Sequence, residues 1–373
     1  MGLFPGALPD FPWDSLVPYR ERAAEHPDGV VDLSVGTPVD PTPAVVREAL
    51  IAAADSPGYP TTWGPSSLRE AVAAWYARRR GVPDVDPAAV LPTVGSKELV
   101  ALLPALLGLG EGDTVVHPAA AYPTYDVGAR LAGATPRPAD AVAEWEGDAS
   151  VRLVWVNSPS NPTGAVASRE QLREIVEAAR AIGAVVASDE CYAELAWSEP
   201  YASAGVPSIL DPEVCGGSHE GLLSVYSLSK QSNLAGYRAA FVAGDPALIA
   251  PLVEVRKHAG LIMPGPVQAA MAAALADDAH VDAQREVYRA RRDALRPALE
   301  AAGFHIDASD AGLYLWSSRD EDCWDSLAFL AERGIVVAPG AFYGEAARRH
   351  VRVALTATDE RVAAAVHRLA NGG

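Results

Sequence analysis

The chain has 373 residues, with 48 acidic and 30 Lys/Arg side chains, a formal charge of −18 and 49% hydrophobic residues. That apolar share supplies a substantial core and excludes a disordered chain or a small disulfide-stapled module. The acidic balance argues against a nucleic-acid groove, whose affinity comes from cations that neutralise phosphates.

Cys191, Cys215 and Cys323 are widely spaced and form no CxxC pair, so a reduced, cytoplasmic setting is expected rather than a disulfide framework or a cysteine zinc site. No run of about 18 uncharged apolar residues is present to cross a bilayer. The first residues carry Pro5, Pro9, Pro12 and Pro18 but neither a basic start nor an apolar signal core, which argues against secretion. Partners are therefore expected to be small molecules, with no nucleic acid and no membrane.

In chain order, residues 1–30 read as a proline-punctuated arm wrapping over a surface. A strand is expected over 30–35, then a helix over 43–54 with Thr42 as cap and Pro43 at its first position. Helical spacing follows over 68–80 and 98–107. A strand at 114–117, a helix at 125–132, a strand at 151–156, a helix at 169–181 and strands at 184–188, 222–226 and 239–243 continue the alternation. This pattern predicts crossover units, hence an α/β domain whose mainly parallel sheet is flanked by helices, over 41–255. A long helical stretch over 267–301 and short strands at 314–317, 335–337 and 351–354 predict a smaller α+β unit over 256–373, joined by the arm, residues 1–40.

Open parallel sheets place ligands beyond the carboxyl ends of their strands, so the polar residues just past each strand are the ones to weigh. After 151–156 comes Asn157-Ser158-Pro159-Ser160-Asn161-Pro162-Thr163-Gly164. After 184–188 come Asp189, Glu190, Cys191 and Tyr192, and after 222–226 come Ser227, Leu228, Ser229 and Lys230, with Arg238 eight residues on. Gly95-Ser96-Lys97 opens a helix whose free N–H groups attract phosphate. Each string has an ordinary reading: a turn, a helix cap or a solvated lysine. Four element ends each offering one complementary polar group form a pattern that chance rarely supplies.

Asn161-Pro162-Thr163-Gly164, Asp189-Glu190-Cys191-Tyr192, Ser227-Leu228-Ser229-Lys230 and Gly236-Tyr237-Arg238 together resemble the class I/II aminotransferases of pyridoxal-phosphate fold type I. The resemblance runs from the Gly36 region to the Arg352 region. It implies that Lys230 holds pyridoxal 5′-phosphate (PLP) covalently and, once released by substrate, shuttles the proton between Cα and C4′. Asp189 would pair with the pyridine nitrogen, Tyr192 and Asn161 would hydrogen-bond the ring's 3′ oxygen, and Tyr122 would stack on the ring. Ser96, Lys97, Ser227, Ser229 and Arg238 would hold the phosphate. Tyr59 would reach across from a neighbouring subunit, making a homodimer with shared sites. Arg352 would bind the substrate's α-carboxylate, with Gly36 and Asn161 beside it. Alternation along 351–354 would turn Arg352 away from Val351 and Val353, although a surface arginine would fit that alternation equally well.

Other features carry less. Gly108 to Asp113 is glycine-rich but follows a helix, which makes it a turn. The histidines are dispersed, without an HExxH motif, so no metal is expected. Arg78-Arg79-Arg80 closes a helix and reads as a solvated face. In the C-terminal part, Gly312-Leu313-Tyr314-Leu315-Trp316, Asp322-Cys323-Trp324, the run 333–340, Phe342-Tyr343-Gly344 and Thr356-Ala357-Thr358, together with Gly95-Ser96-Lys97-Glu98, resemble bacterial N-succinyldiaminopimelate aminotransferases of lysine biosynthesis. That resemblance implies amino transfer between the succinylated diaminopimelate and 2-oxoglutarate, with Lys97 as a candidate second anion contact. A PLP-dependent C–S lyase shares the fold and the lysine. A cofactor-binding regulator fits poorly, because no basic DNA-binding extension is present.

Overall fold

In the computed structural model, which describes residues 12–371, the strands in chain order are β1 Val31–Asp32, β2 Val90–Val94, β3 Thr114–His117, β4 Thr135–Pro138, β5 Val151–Asn157, β6 Val185–Asp189, β7 Leu222–Ser227, β8 Ala239–Gly244, β9 His305–Asp307, β10 Tyr314–Ser318, β11 Ile335–Val336, β12 Ala338–Pro339 and β13 Val351–Ala354. The larger sheet has the order β2-β8-β7-β6-β5-β3-β4. Only β8 runs against its neighbours; every other pair, from β7 through β4, is parallel. Apolar runs such as Leu222–Ser227 and Ala239–Gly244 are buried along their whole length, as a sheet covered on both faces requires.

Helices cover that sheet. Arg169–Ile182 shows why the sequence starts and stops them where it does. Ser168 and Gln171 form a reciprocal capping box at its start, and Gly183 ends it in the left-handed conformation. The helix beginning the next unit departs from expectation: Pro43 is itself the cap and the helix is Ala44–Ala52. Thr42 thus lies one residue too early to cap, and its hydroxyl donates to the Asn233 carbonyl instead.

The smaller sheet has the order β12-β13-β10-β9. The strand expected over 30–35 shrinks to β1, which pairs in parallel with β11 rather than joining the larger sheet. Of the expected surface arm, residues 1–11 lie outside the described residues. The part from residue 12 on is no loose wrap, because Leu16 and Ala23, on Pro12–Leu16 and the helix Val17–Ala24, are buried in the smaller unit's core.

The helical stretch expected over 267–301 is two helices, Gly265–Ala276 and Ala279–Ala301. Asp277 is extended and its carboxylate accepts the Ala279 and His280 N–H groups, which restarts the helix. Met263, Ala270, Met271, Ala274 and Leu275 pack into the larger sheet's core, whereas Tyr288, Leu295 and Leu299 belong to the smaller one. Core packing thus carries the large unit some twenty residues past 255. No helix among the described residues is long and apolar enough to cross a membrane.

Of the arginine run 78–80, Arg78 is exposed as expected, but Arg79 and Arg80 are not a solvated face. The run lies in one π-helical turn, Tyr76–Arg80, in which Arg80 is buried against Glu190 at 3.0 Å and Arg79 bridges Glu194 and Asp282 at 2.6 and 3.0 Å.

Candidate active site

A cavity of about 520 Å³ opens at the carboxyl ends of β5, β6 and β7 and is closed from the other side by β13, β10 and the segment after β1. It is lined by Ser96, Lys97, Tyr122, Asn161, Asp189, Tyr192, Ser227, Ser229, Lys230, Arg238, Gly36 and Arg352. Of the residues singled out in the sequence, only Tyr59 lies elsewhere: it does not line this cavity and is fully exposed.

Strand ends position the first group. β5 and β6 are parallel with Asn157 opposite Asp189, and the Asn157 amide locks both loops: Nδ2 donates to the carbonyls of Asp189 and Pro159, while Oδ1 accepts the Asn161 N–H at 2.7 Å. Asp189 is buried. Its Oδ2 accepts the Tyr125 hydroxyl at 3.0 Å and its Oδ1 the Cys191 N–H at 3.2 Å. Burial raises its pKa from the ordinary carboxylate value, against the opposing effect of these hydrogen bonds and the Lys230 charge. A carboxylate in that condition is suited to a cationic N–H partner, which would restore its ionised form.

Lys230 sits on the helical turn Leu228–Gln231 that follows β7, where the Ser227 hydroxyl caps the turn by accepting the Ser229 N–H. Its ammonium donates to the Gly36 carbonyl at 2.6 Å.

At the far end, the helix Ser96–Leu106 points its N-terminus into the cavity with no side-chain cap, leaving first-turn N–H groups for an anion. Gly95 precedes it at φ +81°, and a Cβ there would overlap the Arg238 guanidinium. The glycine thus lets the cation lie against the helix start. Ser227 and Ser229 hydroxyls meet at 2.8 Å beside it. Behind this cup, Arg256, wholly buried, holds Glu98 with two bonds of 2.8 and 3.0 Å. A phosphate-bearing ring with a basic nitrogen fits these residues: anion donors at one end, a buried carboxylate at the other and an amine between.

Arg352 supplies the opposite wall. It is 3% exposed, which removes the surface reading, and it donates to Asn161 Oδ1 and the Ser34 carbonyl, both at 2.8 Å. Its Nε, also buried, has no partner, and no carboxylate pairs with its charge among the described residues. A buried cation without a counter-ion is costly, so the geometry favours an anion there. Its guanidinium lies 3.9 Å from the Tyr314 ring centre and 5.0 Å from that of Tyr343.

Tyr125, Asn157 and Tyr314 are site residues to which the sequence assigned no role, although Asn157 and Tyr314 stand in strings quoted above. Tyr125 lies in the first turn of the helix Thr124–Ala132, just after Tyr122, and its ring meets that of Tyr122 edge to face at 5.9 Å.

A family model described as aminotransferase class I and II matches residues 28–369. The chain belongs to this family. It is a PLP-dependent aminotransferase of fold type I. It is 60% identical to 4-dedimethylamino-4-oxo-anhydrotetracycline transaminase OxyQ of Streptomyces rimosus, over 97% of this chain and 99% of the relative. It is also 60% identical to a Mycobacterium tuberculosis protein named "Probable aminotransferase Rv1178", over 97% of this chain and 85% of that protein. Among solved structures, one described as a probable N-succinyldiaminopimelate aminotransferase from Thermus thermophilus superposes on the aminotransferase with a TM-score of 0.84 at 28% identity, covering 96% of this chain and 98% of that one.

Proposed function

We propose that this aminotransferase moves an amino group between glutamate/2-oxoglutarate and N-succinyl-LL-2,6-diaminopimelate or its keto acid, with the residues of the cavity in the roles described next. The observation that carries an α-amino-acid substrate is Arg352, a buried guanidinium that lines the cavity Lys230 also enters and has no carboxylate partner among the described residues. A carboxylate accepts such a fork with two oxygens, and Asn161 and the Gly36 backbone flank the same spot.

The backbone N–H groups of Ser96 and Lys97, the Ser227 and Ser229 hydroxyls and Arg238 would hold the phosphate of PLP, and Asp189 its ring nitrogen. Tyr192 and Asn161 would hold the ring's 3′ oxygen and Tyr122 would pack against the ring. When bound, PLP supplies the electron sink for the pair left at Cα when a proton is removed. Lys230 is the attachment point and the group that takes and returns that proton. It must be an amine to do either. Tyr59, exposed on this chain, would complete the site of a second subunit in a homodimer.

For the distal part of the substrate, Lys97 is the remaining cation lining the cavity once Arg352, Lys230 and Arg238 are assigned. It forms no ion pair among the described residues, and its ammonium is 5.9 Å from the Tyr122 ring centre. A doubly anionic substrate has a use for it. The likeness to the Thermus structure supports the succinylated substrate. The 60% identity to OxyQ favours a second reading, in which the acceptor is a 4-oxo-anhydrotetracycline.

The test is to incubate the enzyme with PLP, glutamate and a panel of acceptors. Production of 2-oxoglutarate with the succinylated keto acid as best acceptor is expected. Preference for the tetracycline ketone would select the second reading, and release of pyruvate and thiol from cystathionine without any keto acid would mean a lyase.

A further inference from the structure

Tyr314 stands where three parts of the cavity meet. It opens β10, which is antiparallel to β13 with Trp316 opposite Arg352 and Tyr314 opposite Ala354. Tyr314 and Arg352 are thus diagonal neighbours on adjacent strands, close enough for a long side chain to lie over a ring. The Arg352 guanidinium sits between the rings of Tyr314 and Tyr343. At its other end the Tyr314 hydroxyl is 3.2 Å from the Tyr192 hydroxyl, with the two rings edge to face at 5.7 Å. The same hydroxyl rests against Gly36, where any Cβ would overlap it, and the Gly36 carbonyl receives the Lys230 ammonium. Tyr192, Tyr314 and Arg352 are all buried, so their interactions are not screened by bulk water.

We propose that Tyr314 is a positioning residue that couples Arg352 to Tyr192, so that a carboxylate arriving on the guanidinium changes the hydrogen bond made at the opposite wall of the cavity. This rests on the reading of Arg352 and Tyr192 given above and extends it to a residue with no role there. The groups facing Tyr314 are Arg352 on β13, Lys230 on the turn after β7, Tyr192 after β6, Tyr122 ahead of the helix Thr124–Ala132, Tyr343 on the turn Gly340–Tyr343, and Tyr288 on the helix Ala279–Ala301. Only Arg352 and Lys230 of these are cations.

Burial alone would raise the pKa of this phenol, but the Arg352 and Lys230 charges and the Tyr192 hydrogen bond outweigh burial and hold it below the ordinary tyrosine value. A phenol oxygen so placed is a strong acceptor, and accepting from Tyr192 keeps the Tyr192 proton from any other acceptor in the cavity. A carboxylate on Arg352 cancels one of the two cations. Tyr314 then holds its own proton more tightly, accepts more weakly from Tyr192 and leaves the Tyr192 proton for an acceptor in the cavity. No covalent bond changes; the signal is a redistribution of two hydrogen bonds.

The experiment compares wild type, Tyr314→Phe and Arg352→Ala, using maleate as an unreactive dicarboxylate probe. Tyr314→Phe keeps the ring under the guanidinium, so folding and stacking are preserved. In the cofactor-free protein, ultraviolet difference titration is expected to show a tyrosine ionising early. Maleate should move that ionisation upward by about one pH unit, and Tyr314→Phe should lack both the ionisation and its response. With PLP bound, the pH midpoint of the visible absorption band should shift with maleate in wild type and fail to shift in Tyr314→Phe, while maleate affinity falls less than about tenfold. A Tyr314→Phe protein with the wild-type tyrosinate titration and maleate response overturns the coupling. Wild-type maleate affinity in Arg352→Ala overturns instead the underlying reading of the carboxylate site.

Discussion

The two walls of the cavity are built differently. On the larger sheet, the carboxylates and the Asn161 backbone arrive already partnered: Asp189 by Tyr125 and Cys191, Asn161 by Asn157, and Glu98 by Arg256. On the smaller sheet, Arg352 has an empty donor and a charge balanced, among the described residues, only by aromatic rings and neutral oxygens. Preorganised donors suit a resident group that must be held in one orientation through every turnover. An uncompensated cation suits a visitor, whose negative charge is rewarded on arrival and which can leave again. The difference matches the roles proposed above, a cofactor wall facing a substrate wall.

Substitutions on each wall should break the comparison in opposite ways. Lys230→Ala is expected to have the largest effect, removing attachment and proton transfer together. Turnover of glutamate with 2-oxo acids should fall by ~10⁴-fold or more, with the cofactor's protein-linked absorbance lost. Measurable transamination at near wild-type rate would refute the role of this amine. Asp189→Ala should lower kcat by ~10²–10³-fold while PLP still binds at its phosphate end, and equilibrium dialysis alongside kinetics separates the two effects.

Arg352→Ala belongs to the other wall. KM for glutamate should rise by roughly 30- to 1,000-fold, the range for losing a buried charge-assisted pair, with PLP affinity unchanged. A fall in cofactor occupancy would show that the two walls are not separable. Tyr125→Phe should cost about tenfold in kcat, because it removes one of two donors that hold the Asp189 carboxylate.

The smallest effect concerns the joint between the walls. Asp40 accepts two bonds from Arg291, at 2.6 and 2.8 Å, and one from Gln284, which also receives the Asn233 amide. Burial would raise the Asp40 pKa, but the Arg291 and Gln284 contacts prevail and hold it below the usual carboxylate value. A depressed carboxylate stabilises the fold fully above its unfolded pKa, near ~4, and that contribution fades as pH falls through the lower folded value. Asp40→Asn should therefore cost about 1–3 kcal/mol at neutral pH, and its denaturant midpoint should converge on that of wild type in acid.

Much of this was legible in the sequence where local chemistry decides. The residues that follow β5, β6 and β7 were visible because an apolar run ends abruptly in polar groups, and the sheet-covering helices were visible through their periodicity and caps. What escaped has physical causes. β2 and β4 contain Pro92, Pro136 and Pro138, so they read as turns, and proline is tolerated there because both strands lie at the sheet's edges with one neighbour each. The reversed β8 between β2 and β7 leaves no mark on its composition. Arg79 and Arg80 looked solvated because their carboxylate partners lie more than a hundred residues away. Tyr314 enters the site through the register of β10 against β13, a property of pairing that no single strand encodes.

The Arg352 bond to Ser34 spans 318 positions of chain. A polypeptide interrupted before β13 would lack Arg352 and so, on the role proposed for it, would possess nothing with which to greet an amino acid. During synthesis, the enzyme would on that role stay silent until β13 had emerged from the ribosome.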